Sequence, residues 1–410
     1  MFEQKLIRKI KKKSLNIGII GVGYVGIKLV IGFSQGNNVV YCFDNDKNKI
    51  NLLNNKKSPF SYIKNSEIKK IYKHLNLFNK LNDISKCDVI LICLPTPLKN
   101  NKPDLTHIQK SWRSIRPFTR KGQILILEST TYPGCTEDIF YKDLNNKFLL
   151  GKEYFLSYSP ERENPGDKKF NFKNTPKIVS GIEKNSLSIC KLIYSMIVNK
   201  VNPAKSIKIA EASKLLENIY RSINIALINE LKIACHNLNL DIYEIIKLAS
   251  SKPFGFSKFL PGPGTGGHCI PIDPIYFAWL SKKKGVELKF INLSAQINSY
   301  RTKWIISNIK NIIKKNNKYK ILLVGLAYKK NIEDTRESAS IKIFKSLKVN
   351  KKISIDYYDP YVKNHKFDIK NKNILISSIK NNPKIFEKYE VIILSTDHDN
   401  IDYKKLLSSG

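Results

Sequence analysis

Acidic residues are scarce in this sequence. Its 410 residues hold 34 Asp and Glu against 71 Lys and Arg, a formal net charge of +37. Such an excess is the electrostatic footprint of a nucleic-acid binder. No zinc-finger spacing and no RNP-type motif accompanies it, and the lysines are spread along the whole chain, with only short runs at Lys11–Lys13 and Lys282–Lys284. We therefore read the charge as a compositional bias and expect no nucleic-acid partner; a salt-dependent DNA shift would mark the opposite reading. Paired cysteines are missing too. The 7 cysteines are odd in number and include no C-x-x-C pair, so neither a disulfide framework nor a metal site is expected, and a reducing, cytoplasmic compartment fits. Long apolar runs are also lacking. The longest, Leu15–Phe33, follows the basic stretch Lys5–Lys13 but is interrupted by Lys28 and punctuated by Gly18, Gly21, Gly23 and Gly26. No small-residue cleavage site follows it, so it is expected to be neither a leader nor a membrane span.

What remains is ordinary soluble composition, 42% hydrophobic and 26% charged, in a chain long enough for two or three domains. Leu15–Ile20, Val39–Phe43, Val89–Leu94 and Ile124–Leu127 are short apolar runs separated by helical or polar segments. That alternation predicts a parallel α/β sheet. From Ser206 to about Leu240 the pattern becomes one long helix with an apolar stripe of Leu215, Leu216, Ile219, Ile223, Ala226 and Leu227. Further helical sequence is broken by the Gly/Pro segment Pro261–Pro274, and another helix is expected from about Leu293 to Lys315. Strand patterns return at Tyr319–Gly325, Ile353–Tyr358 and Val391–Leu394. The expected fold is α/β: two Rossmann-like doubly wound domains, 14–204 and 317–410, joined by a helical middle domain, 205–316, with a long central helix.

Gly21-Val22-Gly23-Tyr24-Val25-Gly26 matches G-x-G-x-x-G where a strand meets a helix, the context that a dinucleotide turn requires. Asp44, at the end of the second strand, is placed to grip an adenosine ribose and to select NAD over NADP. Pro261-Gly-Pro-Gly-Thr-Gly-Gly-His-Cys-Ile-Pro-Ile-Asp273 surrounds one cysteine with glycines. A buried structural thiol is the usual fate of a free Cys; inside a glycine loop we read Cys269 as a reactive thiolate, with Asp273 four residues on to orient a water or base. Glu211, Lys214, Asn218 and Arg221 share one helical face. Glu211 and Arg221 read most simply as solvated, whereas Lys214 and Asn218, one turn apart, could cradle an oxyanion. In Tyr158-Ser-Pro-Glu161-Arg162-Glu163-Asn164-Pro-Gly, paired carboxylates flank an arginine, which suits a site and an ordinary surface loop about equally.

Together these residues resemble the UDP-glucose/GDP-mannose dehydrogenase family over essentially the whole chain. The motifs are Gly21–Gly26, Leu94-Pro-Thr-Pro97, Glu128-Ser-Thr130, Ser159-Pro-Glu161, Lys214-x-x-x-Asn218, Gly266-Gly-His-Cys269-x-x-x-Asp273 and Lys329-Lys-x-x-x-Asp334-Thr-Arg336. Lys252-Pro-Phe-Gly-Phe256, Ile272 before Asp273, and Ser159–Gly166 resemble the UDP-N-acetylglucosamine 6-dehydrogenase branch, which also holds the C4 epimer's enzymes. The resemblance implies an NAD-dependent, two-step oxidation of C6 of a UDP-N-acetylhexosamine to the uronate, for surface polysaccharide precursors. Cys269 would form a thiohemiacetal and then a thioester, Lys214 and Asn218 would stabilise oxyanions, and Asp273, Glu161 and Thr130 would handle water. Tyr24, Val25, Lys49, Thr96 and Arg336 would join the glycines and Asp44 around the cofactor. Arg162, Phe259, Gly266 and Lys329 would join Lys214 around the sugar nucleotide. A homodimer through the long helix is implied, as are a further strand and tail after Asp399, so that the C-terminal domain, ending at Gly410, is expected to be short. Other nucleotide-sugar 6-dehydrogenases, a single-step β-hydroxyacid-type dehydrogenase and an inactive paralogue are the alternatives. The β-hydroxyacid reading leaves the Cys269 loop and the C-terminal domain unexplained.

Overall fold

The computed structural model of the chain describes residues 1–162, 171–267, 269–313 and 318–407. Glu163, Asn164 and His268, all in motifs above, lie outside the described residues. The chain forms two compact units, Met1–Glu217 with Trp279–Lys284, and Asn218–Ala278 with Gly285–Gly410.

In the first unit, eight strands make one sheet: β1 (Asn16–Ile20), β2 (Val39–Phe43), β3 (Leu75–Asn76), β4 (Val89–Ile92), β5 (Gln123–Leu127), β6 (Tyr154–Tyr158), β7 (Lys177–Gly181) and β8 (Val201–Pro203). Their order is β8-β7-β6-β5-β4-β1-β2-β3. The pairings are parallel except between β6 and β7, which run antiparallel. β4, β5 and β6 are buried along their whole length and show no polar alternation, as parallel strands hidden on both faces must. The order reverses between β1 and β4, so the crevice beyond their C-terminal ends is where an open α/β sheet takes a ligand.

The basic N-terminal segment is an amphipathic helix, α1 (Phe2–Lys11), whose Leu6 and Ile10 are buried in this unit's core. Its Lys9 Nζ lies 2.7 Å from Asp88 Oδ2. The apolar run that follows is β1, the glycine turn and α2 (Gly26–Phe33). Helix α3 (Lys184–Ser195) packs Ile189, Cys190, Ile193 and Tyr194 into the same core.

Helix α4 (Ile207–Asn237) begins in the first unit and ends in the second. Its expected stripe divides. Leu215, Ile219 and Ala226 are buried, whereas Leu216 and Leu227 are exposed and continue a second apolar face through Ile209, Tyr220, Leu231 and Leu238.

In the second unit, α5 (Ile242–Ala249) is capped by Asp241. Helix α6 (Cys269–Lys283) opens at the cysteine, so the expected break at Pro261–Pro274 ends sooner than its prolines suggested. Pro271 falls in the first turn, where a missing N–H costs nothing, and only Pro274 lies in the helix interior. Helix α7 (Lys289–Ile312) leads to the C-terminal strands β9 (Tyr319–Val324), β10 (Ile353–Tyr358) and β11 (Val391–Leu394), with α8 (Ala339–Lys348) between the first two. They pair in parallel in the order β10-β9-β11. No helix among the described residues is long and apolar enough to cross a membrane.

Candidate active site

The glycine turn after β1 is shaped by two constraints. Gly21 has φ +91°, a conformation that L side chains rarely adopt, and a Cβ on Gly26 would strike the carbonyl oxygen of Gly21. Gly23 differs: a Cβ there would meet nothing within 4 Å. The fold does not demand that glycine, and its bare backbone leaves room at a helix N-terminus for a pyrophosphate. Asp44, just past β2, accepts from Val22 N at 2.8 Å and Asp46 N at 2.9 Å. Lys49 Nζ stands 3.5 Å from the same carboxylate. The acid is thus tied to the turn, and both fit the two ends of an adenosine diphosphate. Val25 is the N-cap of α2, and Tyr24 packs against Phe60 and Tyr62 with ring centroids 4.8 and 5.8 Å away. Thr96, beyond β4, donates Oγ1 to the carbonyl of Thr130 at 2.9 Å, linking the loops after β4 and β5.

The same edge of the sheet carries a buried ionic chain. Glu128 follows β5, Glu161 follows β6, and Lys177 opens β7. The antiparallel register that pairs Ser157 with Gly181 and Tyr158 with Ser180, continued along the strands, sets Lys177 opposite Glu161. Lys177 Nζ lies 2.8 Å from Glu128 Oε2 and 3.3 Å from Glu161 Oε2. Tyr194 donates its hydroxyl to Glu128 Oε1. Burial pushes the Glu128 carboxyl up to about 7, even beside an ammonium. Burial also disfavours the Lys177 ammonium, but Glu128 and Glu161 outweigh it and hold its pKa above the usual lysine value. Arg162 donates its backbone N–H to Glu161 Oε1 and its guanidinium to Glu217, at 2.7 and 2.6 Å. Glu217 Oε2 lies 4.0 Å from the Nζ of buried Lys214.

Glu211 corrects the solvated reading. It is fully buried and accepts from Gly134 N at 2.5 Å, Thr136 N at 2.9 Å and Thr136 Oγ1 at 2.7 Å. Arg221, on the same helix, is exposed as expected. Removing the carboxylate strands two buried N–H groups, each costing roughly 1–3 kcal/mol. Glu211→Ala should therefore lower the urea midpoint by the equivalent of about 3 kcal/mol, whereas Arg221→Ala should stay within about 0.5 kcal/mol. Equal midpoints for the two variants would contradict the burial.

In the second unit, Cys269 is the one exposed cysteine of the seven and the first residue of α6. A helix N-terminus favours an anion there. Asp273 follows one turn later on the same helix, buried, and accepts from Asn218 Nδ2 at 2.5 Å. The glycines before Cys269 bring backbone against a bulky side chain of this protein. A Cβ on Gly266 would stand 2.6 Å from Tyr328 Cβ, and one on Gly267 2.7 Å from the Tyr328 ring. Gly267 N donates to the carbonyl of Arg336 at 2.8 Å. On the other flank, Asn229 Oδ1 accepts from Gly262 N, while Arg301 Nε and Thr302 Oγ1 donate to the carbonyls of Gly262 and Pro263.

Phe259 packs beside Tyr220, with centroids 5.9 Å apart, and against Ile228, Cys235, Ile242 and Ile246. The guanidinium of Arg336 is bound by Asp334, Nη2 to Oδ2 at 2.6 Å. Lys329 is partly exposed in the same segment. That segment is held by fully buried His398, whose Nδ1 accepts from Asn331 N at 3.0 Å and whose Nε2 faces Asp359 at 3.1 Å.

The sequence reading missed Lys177, Tyr194, Glu217 and His398. A buried ion pair made by strand register leaves no local motif, and only the lone charge opening the apolar run Lys177-Ile-Val hinted at it. Among the described residues, no cluster of three or more His, Cys, Asp or Glu could hold a metal ion.

Comparison with known proteins bears on the whole chain. Residues 15–198, 208–300 and 322–409 match, in order, the NAD binding, central and UDP binding domains of the UDP-glucose/GDP-mannose dehydrogenase family. Protein CapL of Staphylococcus aureus is 36% identical over 81% of this chain and 79% of its own length. The UDP-N-acetyl-D-glucosamine 6-dehydrogenase of Pseudomonas aeruginosa is 34% identical over 85% of this chain and 84% of its own. A solved UDP-D-ManNAc dehydrogenase from Pyrococcus horikoshii superposes with a TM-score of 0.83 at 25% identity, covering 96% of this chain and 93% of that one.

Proposed function

Because the chain belongs to the UDP-glucose/GDP-mannose dehydrogenase family and is an NAD-dependent nucleotide-sugar dehydrogenase, we propose that it oxidises C6 of a UDP-N-acetylhexosamine to the carboxylate in two steps at Cys269. One observation carries this reading: a single exposed thiol opens a helix, with a buried Asp273–Asn218 pair one turn behind it. NAD, when bound, supplies the hydride acceptor for both oxidations. The residues that would hold it are Gly21, Gly23, Gly26 and Asp44, with Lys49 beside the acid. The remaining steps belong to the protein. The Cys269 thiolate adds to the C6 aldehyde, so the intermediate is retained and its carbon can still lose hydride. Loss of that hydride leaves a thioester. Water, oriented by Thr130 and relieved of a proton by Glu161 or Asp273, hydrolyses it to the uronate and returns the thiol. Lys214 and Asn218 stabilise the oxygen that gains charge at each addition.

For the sugar, we favour UDP-N-acetylglucosamine or its C4 epimer, which the Lys252–Phe256 and His268–Pro274 sequences and the Pseudomonas relative support. The likeness to the UDP-D-ManNAc dehydrogenase supports the C2 epimer as a second reading. The exposed apolar face of α4, Ile209 to Leu238, supports a homodimer through that helix. A cytoplasmic site of action and a role in supplying surface polysaccharide precursors complete the proposal, with functional divisions at 14–204, 205–316 and 317–410. The test is NADH formation across UDP-GlcNAc, UDP-GalNAc, UDP-ManNAc, UDP-glucose and GDP-mannose. A UDP-N-acetylhexosamine should react fastest and yield two NADH per uronate. UDP-glucose as best substrate would overturn the sugar assignment, and one NADH per product would overturn the two-step chemistry.

A further inference from the structure

Glu211 does more than fill a core position. Four donors of one loop converge on its carboxylate. Thr136 N at 2.9 Å, Thr136 Oγ1 at 2.7 Å and Thr131 Oγ1 at 3.4 Å reach Oε1, and Gly134 N reaches Oε2 at 2.5 Å. Thr131, Thr136 and Glu211 are all fully buried. Gly134 N and Thr136 N open the helical turn that continues as Glu137–Tyr141 and have no partner within it, so a carboxylate from α4 supplies their acceptors. The other end of the loop is fastened to the segment after β4. Ser129 donates Oγ to the carbonyl of Leu94 at 2.7 Å, and Thr96 donates Oγ1 to that of Thr130 at 2.9 Å. Thr130 therefore sits between two anchors, the segment after β4 on one side and α4 on the other. Glu211 precedes Lys214 by three residues on the same face of that helix.

A buried carboxylate is a costly acceptor. What it adds is direction, because two oxygens in one plane fix two backbone groups and two hydroxyls at once. We infer that Glu211 is a positioning residue for the second half of the reaction: by tying the 131–136 loop to α4 one turn before Lys214, it fixes where Thr130 presents its hydroxyl to the water that hydrolyses the thioester. This role rests on the reading of Thr130 as the residue that orients that water. Glu211 is 0% exposed, so it acts through the loop and not on the water itself. A displacement of about 1 Å at a group that positions a reactant costs on the order of 100-fold. The first oxidation does not use this water, so a loosened loop should separate the two halves of the reaction.

Glu211→Gln is the deciding variant. Its amide oxygen can still accept from Thr136, but its amide nitrogen would face the Gly134 N–H, and two donors cannot pair. Shape and volume are kept. Burial pushes the Glu211 carboxyl up to about 7, so the comparison is made at a more alkaline pH, where the wild-type protein holds the carboxylate. With the best UDP-sugar in a quenched-flow experiment, the first NADH should form within a few-fold of the wild-type rate, and KM should stay near wild type. The Cys269 thioester should accumulate, its hydrolysis slowed by roughly 10- to 100-fold. Thr130→Val should show the same split. The double variant Glu211→Gln/Thr130→Val should hydrolyse no more slowly than Thr130→Val alone, because one residue acts through the other. Cys135 reports on the loop without turnover: it lies fully buried between Gly134 and Thr136, and burial keeps its thiol protonated. A thiol reagent should reach it faster in Glu211→Gln than in wild type. Should Glu211→Gln fail to fold, Thr136→Val removes the 2.7 Å contact isosterically and should give the same split in weaker form. Wild-type hydrolysis in Glu211→Gln overturns the inference, and so does a double variant whose two defects multiply. Wild-type hydrolysis in Thr130→Val beside faster Cys135 labelling in Glu211→Gln overturns it from the other side: the tie exists, and Thr130 is not what orients the water.

Discussion

Cys269→Ser is expected to lower uronate formation by roughly a thousand-fold or more while leaving NAD and sugar-nucleotide binding nearly intact. The reason lies in what the other six cysteines cannot do. Burial pushes Cys42, Cys87 and Cys190 up to about 12, and Cys93 and Cys135 well above the usual thiol value. Cys235 is buried on α4. Only Cys269 is both exposed and at a helix N-terminus. A serine hydroxyl in its place stays protonated at neutral pH, so it adds slowly to an aldehyde and forms an ester that hydrolyses sluggishly. The first oxidation should proceed, and aldehyde should then escape or an acyl-enzyme accumulate. Mass spectrometry of a quenched reaction, read beside NADH stoichiometry, separates these outcomes. A serine variant that makes two NADH per uronate at the wild-type rate would return Cys269 to a structural role. A thiol reagent offers a check without substrate: it should label the native wild-type protein once and the variant not at all.

What could be read from the sequence was local. Gly21–Gly26 and Asp44 are legible because strand, turn and helix follow one another within a few residues, and the backbone demands show in residue type. Helix α4 is legible because its period is sustained over 31 residues. The failures were cases where distant chain decides. Glu211 has the same helical spacing as a solvated residue, and only the loop 131–136 folding over it makes it buried. The two apolar faces of α4 could not be told apart, because periodicity reports hydrophobicity and not which face finds a neighbour. The prolines of 261–274 argued for a break, yet one of them sits in a first turn that tolerates it. The glycines before Cys269 carry no sign of what they face, and Tyr328, some sixty residues away in sequence, accounts for two of them. The Glu128–Lys177–Glu161 chain depends on the one antiparallel pairing, β6 with β7, in an otherwise parallel sheet, a pairing that no local pattern announces.

Lys214→Ala should lower kcat by roughly 100- to 1000-fold with little change in KM, because its charge matters when an oxyanion forms and not before. The structure adds a reason to expect the upper part of that range. Lys214 is 8% exposed, yet its counter-ion Glu217 sits at 4.0 Å, the outer limit of an ion pair, while the same carboxylate binds Arg162 at 2.6 Å. A buried ammonium whose partner is committed elsewhere is desolvated but poorly neutralised, so it gains most from a negative charge that arrives during the reaction. Lys214→Arg should rescue little. The planar guanidinium reaches further, spreads its charge, and would be drawn toward Glu217, which now pairs with Arg162. Glu217→Gln supplies the internal comparison. It frees Arg162 and removes the weak counter-charge from Lys214 without touching the proposed oxyanion contact, so its effect on kcat should stay within about tenfold. Steady-state kinetics of the three variants with a saturating UDP-N-acetylhexosamine decide the matter. If Lys214→Ala raises KM and spares kcat, Lys214 holds the bound sugar nucleotide, and the oxyanion must be stabilised by Asn218 alone.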